Sequence, residues 1–479
     1  MVYDNFTNGF FLPFSLAEGD GRALTLHQQN KKQMKQILII TTALTFAGTE
    51  MQAQEAPHPW SADECMAYAV SHNRDVRKSE LTLSNYKANR TAATGTFLPS
   101  VTAETAAQYN FGRSINPETN TYTDVTTFYH GYSVSANLPI FDGLGRIHRL
   151  KAAKADLLMG KSALQQRQNQ VALAVLQAFV DALYYEGTLA MAREKQKENN
   201  LLLRQARVLE EVGQKSHADV AQMEATAAEA DVDVVKQQNL LDAAMLQLKF
   251  AMNWQEEGEL TLQGLPTEQL QAGMEKASDY AITVDALPEV KQAYFAMESA
   301  RQQLKSAKAD LWPEISLSGG WSTTFYKTLH RTAPSYGEQL RNNGGQWVGA
   351  SLSLPLFRRL STVTGIRRAR NNYLIAAENY EQKREELEKL RSEARMDAEA
   401  YCKETVSMAK KQEADSLAYT ITKKQWEEGM ATAIDLSATS ANLLSSKAHL
   451  LQAQLMTVLK KRLVDYYNGN DIIQPSNRK

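Results

Sequence analysis

Two short stretches gather the residues with the most chemical character. The first is Val212-Gly213-Gln214-Lys215-Ser216-His217-Ala218-Asp219-Val220, and the second is Glu428-Gly429-Met430-Ala431-Thr432-Ala433-Ile434-Asp435-Leu436. Each has a glycine, a hydroxyl residue three positions on and an aspartate six positions on. The sets Gly213, Ser216, Asp219 and Gly429, Thr432, Asp435 lie 216 positions apart. Glycine adopts the left-handed backbone conformation cheaply and ends helices. Serine or threonine then accepts hydrogen bonds from the first free N–H groups of a following helix, and an aspartate in the first turn suits the positive end of the helix dipole. His217 could sense pH, although one histidine at a turn is ordinarily just a surface residue. Elsewhere no nucleophile, base and orienting group fall in recognisable spacing, and Gly143-Leu144-Gly145 lacks the rest of the dinucleotide pattern. Eight histidines and two cysteines argue against a structural metal site. The expectation is no catalytic, cofactor-binding or metal-binding residue, and no enzyme.

The elements that must position these turns are long. No proline occurs between Pro139 and Pro266 or between Pro355 and Pro475, and both windows are rich in good helix formers. Each reads as a very long helix, a tight turn and a returning helix. From Gly145 to Val212 the rod would run about 100 Å. The segment from Asn73 to Leu98 gives about 39 Å and the return from Ser216 to Asn253 about 57 Å. Two shorter helices stacked end to end can therefore flank one long one. The duplication extends beyond the turns: Asn73-Arg74-Asp75-Val76 lines up with Leu287-Pro288-Glu289-Val290, Phe97-Leu98-Pro99 with Leu311-Trp312-Pro313, and Leu138-Pro139-Ile140-Phe141 with Leu354-Pro355-Leu356-Phe357. The chain is two copies of one unit of helix, strand, loop, strand, very long helix, turn and returning helix.

Taken in order, residues 1–53 read as a leader followed by a secretory signal at 34–53. Lys31, Lys32 and Lys35 flank an apolar run from Ile37 to Gly48 that is too short to span a bilayer. Ser61 and Glu64 form a capping-box pattern. The first repeat occupies 60–253, with strands at 99–112 and 129–141. An equatorial linker, 254–287, carries a short strand near Leu260-Thr261-Leu262 and a helix from about Glu268. The second repeat occupies 288–467, with strands at 313–326 and 346–357, and a flexible tail follows at 468–479. The intervening loops, Arg113 to Thr127 and Lys327 to Gly345, are polar. Along the strands, Val101, Ala103, Tyr132, Val134, Leu317 and Leu352 alternate with Ser100, Thr102, Ser133, Ser135, Ser316 and Ser351. This is the length and alternation of membrane-spanning strands. A soluble sandwich would alternate too, but four strands per chain cannot sit in lipid with open edges, whereas four from each of three chains close a twelve-stranded barrel. A net charge of −1 gives no indication of nucleic-acid binding.

In the order and duplication of these landmarks, from Trp60 to Tyr467, the chain resembles the TolC-like outer membrane efflux protein family. Leu98-Pro99 and Trp312-Pro313, the Leu-Pro-Ile/Leu-Phe segments and the duplicated Gly-x5-Asp carry the likeness. The resemblance implies a mainly α fold with a membrane β part: in a homotrimer, a twelve-stranded barrel in outer-membrane lipid and an α-helical tunnel through the periplasm. It also implies a passive duct in a Gram-negative outer membrane, docked at its turns to a periplasmic adaptor (membrane fusion) protein and through it to an inner-membrane transporter. Gly213, Ser216, Asp219, Trp426, Gly429, Thr432 and Asp435 become the gate and docking candidates, with Asp219 and Asp435 either helix-start residues or a cation-favouring ring of acids. The family's tyrosine and arginine latch positions fall on Trp426 and Ala431, so closure is expected to be apolar and to involve Trp426. Cys65 and Cys402 both fall near mid-rod, where an exported protein permits a disulfide. The rival readings are a trimeric coiled-coil structural or adhesive surface protein, and a periplasmic adaptor, which would carry one hairpin rather than two.

Overall fold

The computed structural model describes residues 59–473, apart from 117–119, 125, 257, 259, 266–283, 330 and 331. The leader, the signal segment and the helix expected from Glu268 lie outside the described residues. The first repeat contains α1 (Ala62–His72), α2 (Arg74–Gly95), β1 (Ser100–Asn110), β2 (Arg113–Asn116), β3 (Thr121–Asp124), β4 (Thr127–Asp142), α3 (Gly145–Glu211) and α4 (His217–Met252). The second contains α5 (Pro288–Ala309), β5 (Glu314–Thr328), α6 (Tyr336–Asn342), β6 (Gly345–Ser353), α7 (Ser361–Glu427) and α8 (Ala433–Tyr467). The fold is mainly helical with a four-stranded antiparallel sheet and a small two-stranded one. Two elements were not expected in the polar loops: the β2–β3 hairpin and the two-turn helix α6.

Both rods, α3 and α7, are 67 residues long, or about 100 Å. α3 packs against α2, α4, α5 and α8, while α7 packs against α5 and α8. The helices therefore form four columns side by side: α4 over α2, then α3, then α8 over α5, then α7. The stacked joints are tied by side chains. Asn73 caps α2 by accepting from the Asp75 N–H at 2.8 Å, and it donates to the Ala251 carbonyl at 3.3 Å. Asn253 answers by donating to the His72 carbonyl at 2.9 Å. At the other joint the Tyr466 hydroxyl donates to Glu289 at 2.5 Å.

The core sits at these joints. Cys65, Met66, Val175, Phe179, Leu248, Met252, Leu287 and Val290 are buried together there. Phe179 is thus a packing residue. Trp60 forms a parallel bridge with Leu262, which is all that forms of the short strand expected in the linker. Of the tail, residues 474–479 lie outside the described residues; before them Ile472 is buried in the same core at 4 % exposure, and its carbonyl accepts from Arg462 at 3.2 Å.

The four-stranded sheet has the order β1-β4-β5-β6, antiparallel throughout. Its register sorts the strands cleanly. Val101 faces Ala136, Val134 faces Trp321, and Leu317 faces Ala350 on one side; Thr102 faces Ser135, Ser133 faces Ser322, and Ser316 faces Ser351 on the other. Pro139 lies in a central strand, where proline is tolerated only at an irregularity. The β4–β5 register slips between Pro139 and Phe141, and β1 has ended its pairing by Asn137, so no ladder bond is lost. Among the described residues neither face is covered by a second sheet. Val101, Val134, Val348 and Leu352 are exposed, as a water-facing sandwich would not leave them.

The strand-to-rod joints are also duplicated. Gly143 and Leu144, and Arg359 and Leu360, have left-handed backbones immediately before α3 and α7. At Gly143 a side chain would also meet the Ala309 carbonyl and Trp312 Cβ at 2.6 Å. Gly143→Ala should therefore cost more stability than a left-handed residue alone, which is about 1–2 kcal/mol, and the loss should show as a lower unfolding temperature.

Cys65 and Cys402 are both free; Cys65 is buried and Cys402 half-buried. Burial pushes the Cys65 thiol up to about 12, leaving almost no reactive thiolate at neutral pH. Alkylation of native protein at pH 8 should modify Cys402 first and reach Cys65 only after denaturation, as mass spectrometry of timed samples would show. Rapid labelling of Cys65 would mean that the equatorial core opens.

Candidate functional site

The two tips are built alike. α3 ends at Glu211, Gly213 follows with φ 72°, and the N–H groups of Gln214 and Lys215 return to the Leu209 carbonyl at 2.8 and 3.2 Å. α7 ends at Glu427, Gly429 has φ 80°, and the N–H groups of Met430 and Ala431 return to the Gln425 carbonyl at 2.7 and 3.2 Å. These bonds satisfy carbonyls that a helix end leaves open, and a side chain at either glycine would force an unfavourable backbone.

The next residues start the returning helices. Ser216 Oγ accepts from the Asp219 N–H at 3.2 Å, and the Asp219 carboxylate accepts from the Ser216 N–H at 3.1 Å and hydroxyl at 2.8 Å. Thr432 and Asp435 repeat this at 3.2, 3.1 and 2.6 Å. Both are reciprocal capping boxes. The hydroxyl and N–H bonds hold both carboxyls below the usual aspartate range. The structure thus realises the helix-start role of Asp219 and Asp435. His217, exposed, lies 2.9 Å from Glu210 through Nδ1.

The tips differ in what joins them. Trp426 is fully buried, 0 % exposed, among Leu202, Ala206, Val220, Met223, Tyr419 and Leu436, residues drawn from both hairpins. Its ring lies inside the protomer, where it packs against residues of both hairpins. Over it lies Lys215, whose Nζ donates to the Trp426 carbonyl at 2.9 Å and sits 4.9 Å from the ring centroid. The ammonium therefore meets both an aromatic face and the negative end of the α7 dipole. Further up, Lys423 donates to Glu198 at 2.7 Å, again between hairpins. Sequence reasoning passed over Lys215. The signal was available, because Lys215 is the position 216 before Ala431, where the family's arginine is missing. A cation is present at the tips, but on the other hairpin.

Two copies of a helix–strand–strand–helix–helix unit, with an open sheet at one end and paired capped turns at the other, define the protomer of a TolC-like outer-membrane channel. Residues 67–253 and 285–460 match the outer membrane efflux protein family, and the chain belongs to it. It is a channel protein of the Gram-negative outer membrane with a periplasmic extension, not an enzyme. A curated relative, the outer membrane efflux protein BepC of Brucella suis biovar 1 (strain 1330), is 21 % identical over 341 residues, covering 69 % of this chain and 68 % of BepC. Among solved structures, CusC has a TM-score of 0.76 at 15 % identity, covering 88 % of this chain and 96 % of CusC. VceC of Vibrio cholerae gives 0.71 at 14 %, covering 86 % and 96 %. The open state of the MtrE channel of Neisseria gonorrhoeae gives 0.67 at 17 %, covering 86 % and 91 %. The fold is shared across wide sequence divergence.

Ser216→Ala or Thr432→Ala should each cost about 1 kcal/mol of local stability, seen as faster amide exchange in the first turn of α4 or α8 and nowhere else. The aspartates set the pH dependence. Their folded-state pKa values lie below the ordinary 3.8, so the stabilisation is complete above that value and disappears as pH falls through the lower folded value. Exchange at both tips should stay flat from pH 7 to 5 after correction for intrinsic rates, and local stability should drop only in strong acid.

Proposed function

We propose that three copies of this chain form a passive export duct, with a twelve-stranded barrel in the outer membrane and a helical tunnel below it. The observation that carries this is that the protomer is unfinished along both of its long sides. β1 and β6 are edge strands. On the β1 side, α2 and α4 expose Leu81, Val235, Leu246 and Phe250; on the β6 side, α7 exposes Leu374, Ile375, Met396 and Leu417. One side complements the other, and a head-to-tail contact of that kind closes a ring. The serine-rich sheet face then lines the bore, and the apolar face meets lipid. The trimeric adhesive reading accounts for neither the membrane-length strands nor the paired tips.

In this reading the six tips of the trimer, carrying Gly213, Ser216, Asp219, Gly429, Thr432 and Asp435, form the periplasmic mouth and dock an adaptor protein that leads to an inner-membrane transporter. Asp219 and Asp435 add a ring of acids there that favours cations. The Lys215–Trp426 contact holds each protomer's hairpins together and so restrains opening. Trp426 contributes to closure through this contact and through the core beneath it.

Extraction of the outer-membrane fraction should yield a trimer that dissociates on heating. A soluble monomer recovered from the periplasm would overturn the proposal. In planar bilayers Lys215→Met should raise the conductance of the purified trimer severalfold. Trp426→Ala should do so too, while also losing about 3–5 kcal/mol of local packing. Unchanged conductance in Lys215→Met would remove that contact from the gate.

A further inference from the structure

α6 does not project into solvent; it lies on the apolar face of the sheet. Tyr336 Oη is 3.0 Å from Tyr132 Oη and 2.8 Å from His130 Nδ1, and Thr323 donates to the Leu340 carbonyl at 2.6 Å. The helix also completes β5 where β6 has stopped pairing, at Ser322–Gly345. Gln339 accepts from the Tyr326 N–H at 3.0 Å and donates to its carbonyl at 3.0 Å, and Asn343 donates to the Thr324 carbonyl at 2.7 Å. α6 is therefore held in place by side-chain bonds to backbone groups.

Between α6 and the strands a cleft of about 510 Å³ remains, lined by Tyr132, Val134, Trp321, Thr323, Leu340 and Arg341, with Glu104 of β1 also on its wall. Its floor is apolar, and Trp321 is still 41 % exposed. Toward the loops an aromatic cluster closes the face: Tyr109 and Phe128 at 4.7 Å, Phe128 and Phe325 at 6.1 Å, Phe325 and Tyr336 at 4.8 Å between centroids. Aromatic girdles of barrels lie at headgroup depth. The cleft thus opens just inside the girdle, where acyl chains begin. Arg341, exposed at its rim, engages only Nε, to the Gly337 carbonyl at 3.4 Å, among the described residues. Its remaining guanidinium donors match the geometry of a phosphate.

We infer that this cleft binds one phosphorylated glycolipid of the outer leaflet per protomer, with an acyl chain along Val134, Trp321 and Leu340 and a sugar phosphate on Arg341. The inference rests on the barrel reading above. An apolar slot, a cation at its mouth and a position on the lipid-facing side at the loop end are together the features such a lipid requires. The lipid would brace α6 against β5 at the edge where the neighbouring protomer must pair.

The test is native mass spectrometry of the trimer washed extensively in mild detergent, comparing wild type with Arg341→Glu and Trp321→Ser. Samples would be given purified lipid A or phosphatidylglycerol. The expected result is up to three lipid A molecules per wild-type trimer and about tenfold weaker retention in Arg341→Glu, the scale of one charge-assisted hydrogen bond. Trp321→Ser should also lose the lipid, and phosphatidylglycerol should not replace it. Intact trimers that carry no lipid A, that bind phosphatidylglycerol equally, or that lose nothing in Arg341→Glu would overturn the inference. Failure to obtain any trimer from the outer membrane would instead strike the duct proposal itself.

Discussion

A backbone N–H or carbonyl in hydrocarbon must find a partner, because no water is there to supply one. That constraint shapes this chain. Four strands make a sheet with two open edges, and such a sheet is tolerable in lipid only as part of something closed. The helical columns below inherit the same incompleteness: the flanking columns leave apolar side chains uncovered on the sides that continue β1 and β6. Since the serine-rich and apolar faces of the sheet are set by register alone, a one-residue slip would exchange them. The irregularity at Pro139 falls where β4 leaves the sheet for the rod, so it does not disturb that sorting.

Much of this was legible in the residues because the punctuation is strong. Prolines at 99, 139, 313 and 355 and glycines at 213 and 429 bracket every major element, and alternation from Val101 onward marks a sheet with two unlike faces. Repetition then converted individually weak signals into an architecture. What escaped reading was short or depended on contact. α6 spans two turns at most, too few for periodicity to register, although Ser335 and Glu338 have cap spacing and Ser335 does accept from the Glu338 N–H. Burial of Ile472 could not be seen because a few apolar residues after a helix carry no period. The burial of Trp426 between the two hairpins could not be read either: sequence shows where along a helix a residue lies, not which neighbour covers it.

The tips show how duplication separates scaffold from specialisation. Glycine, hydroxyl and aspartate recur at both because each turn must end one helix and start another. Glu210 and Trp426, and Lys215 and Ala431, occupy equivalent places and diverge. The pairing of Lys215 with Trp426 across copies makes one contact between hairpins from two residues whose repeat counterparts are others. A duplicated hairpin can acquire such a contact without disturbing the caps beneath it, since the caps use the backbone, the Ser216 or Thr432 hydroxyl and the first-turn acid.

The equality of α3 and α7, at 67 residues each, has a consequence for how such chains can change. One added turn in either rod alone would displace its tip by about 5.4 Å and pull Lys215 away from Trp426. Insertions and deletions are therefore admissible only in concert, in whole turns, and with matching changes in the returning helices. The span between sheet and tips is a single shared dimension, and it can be altered only in paired steps.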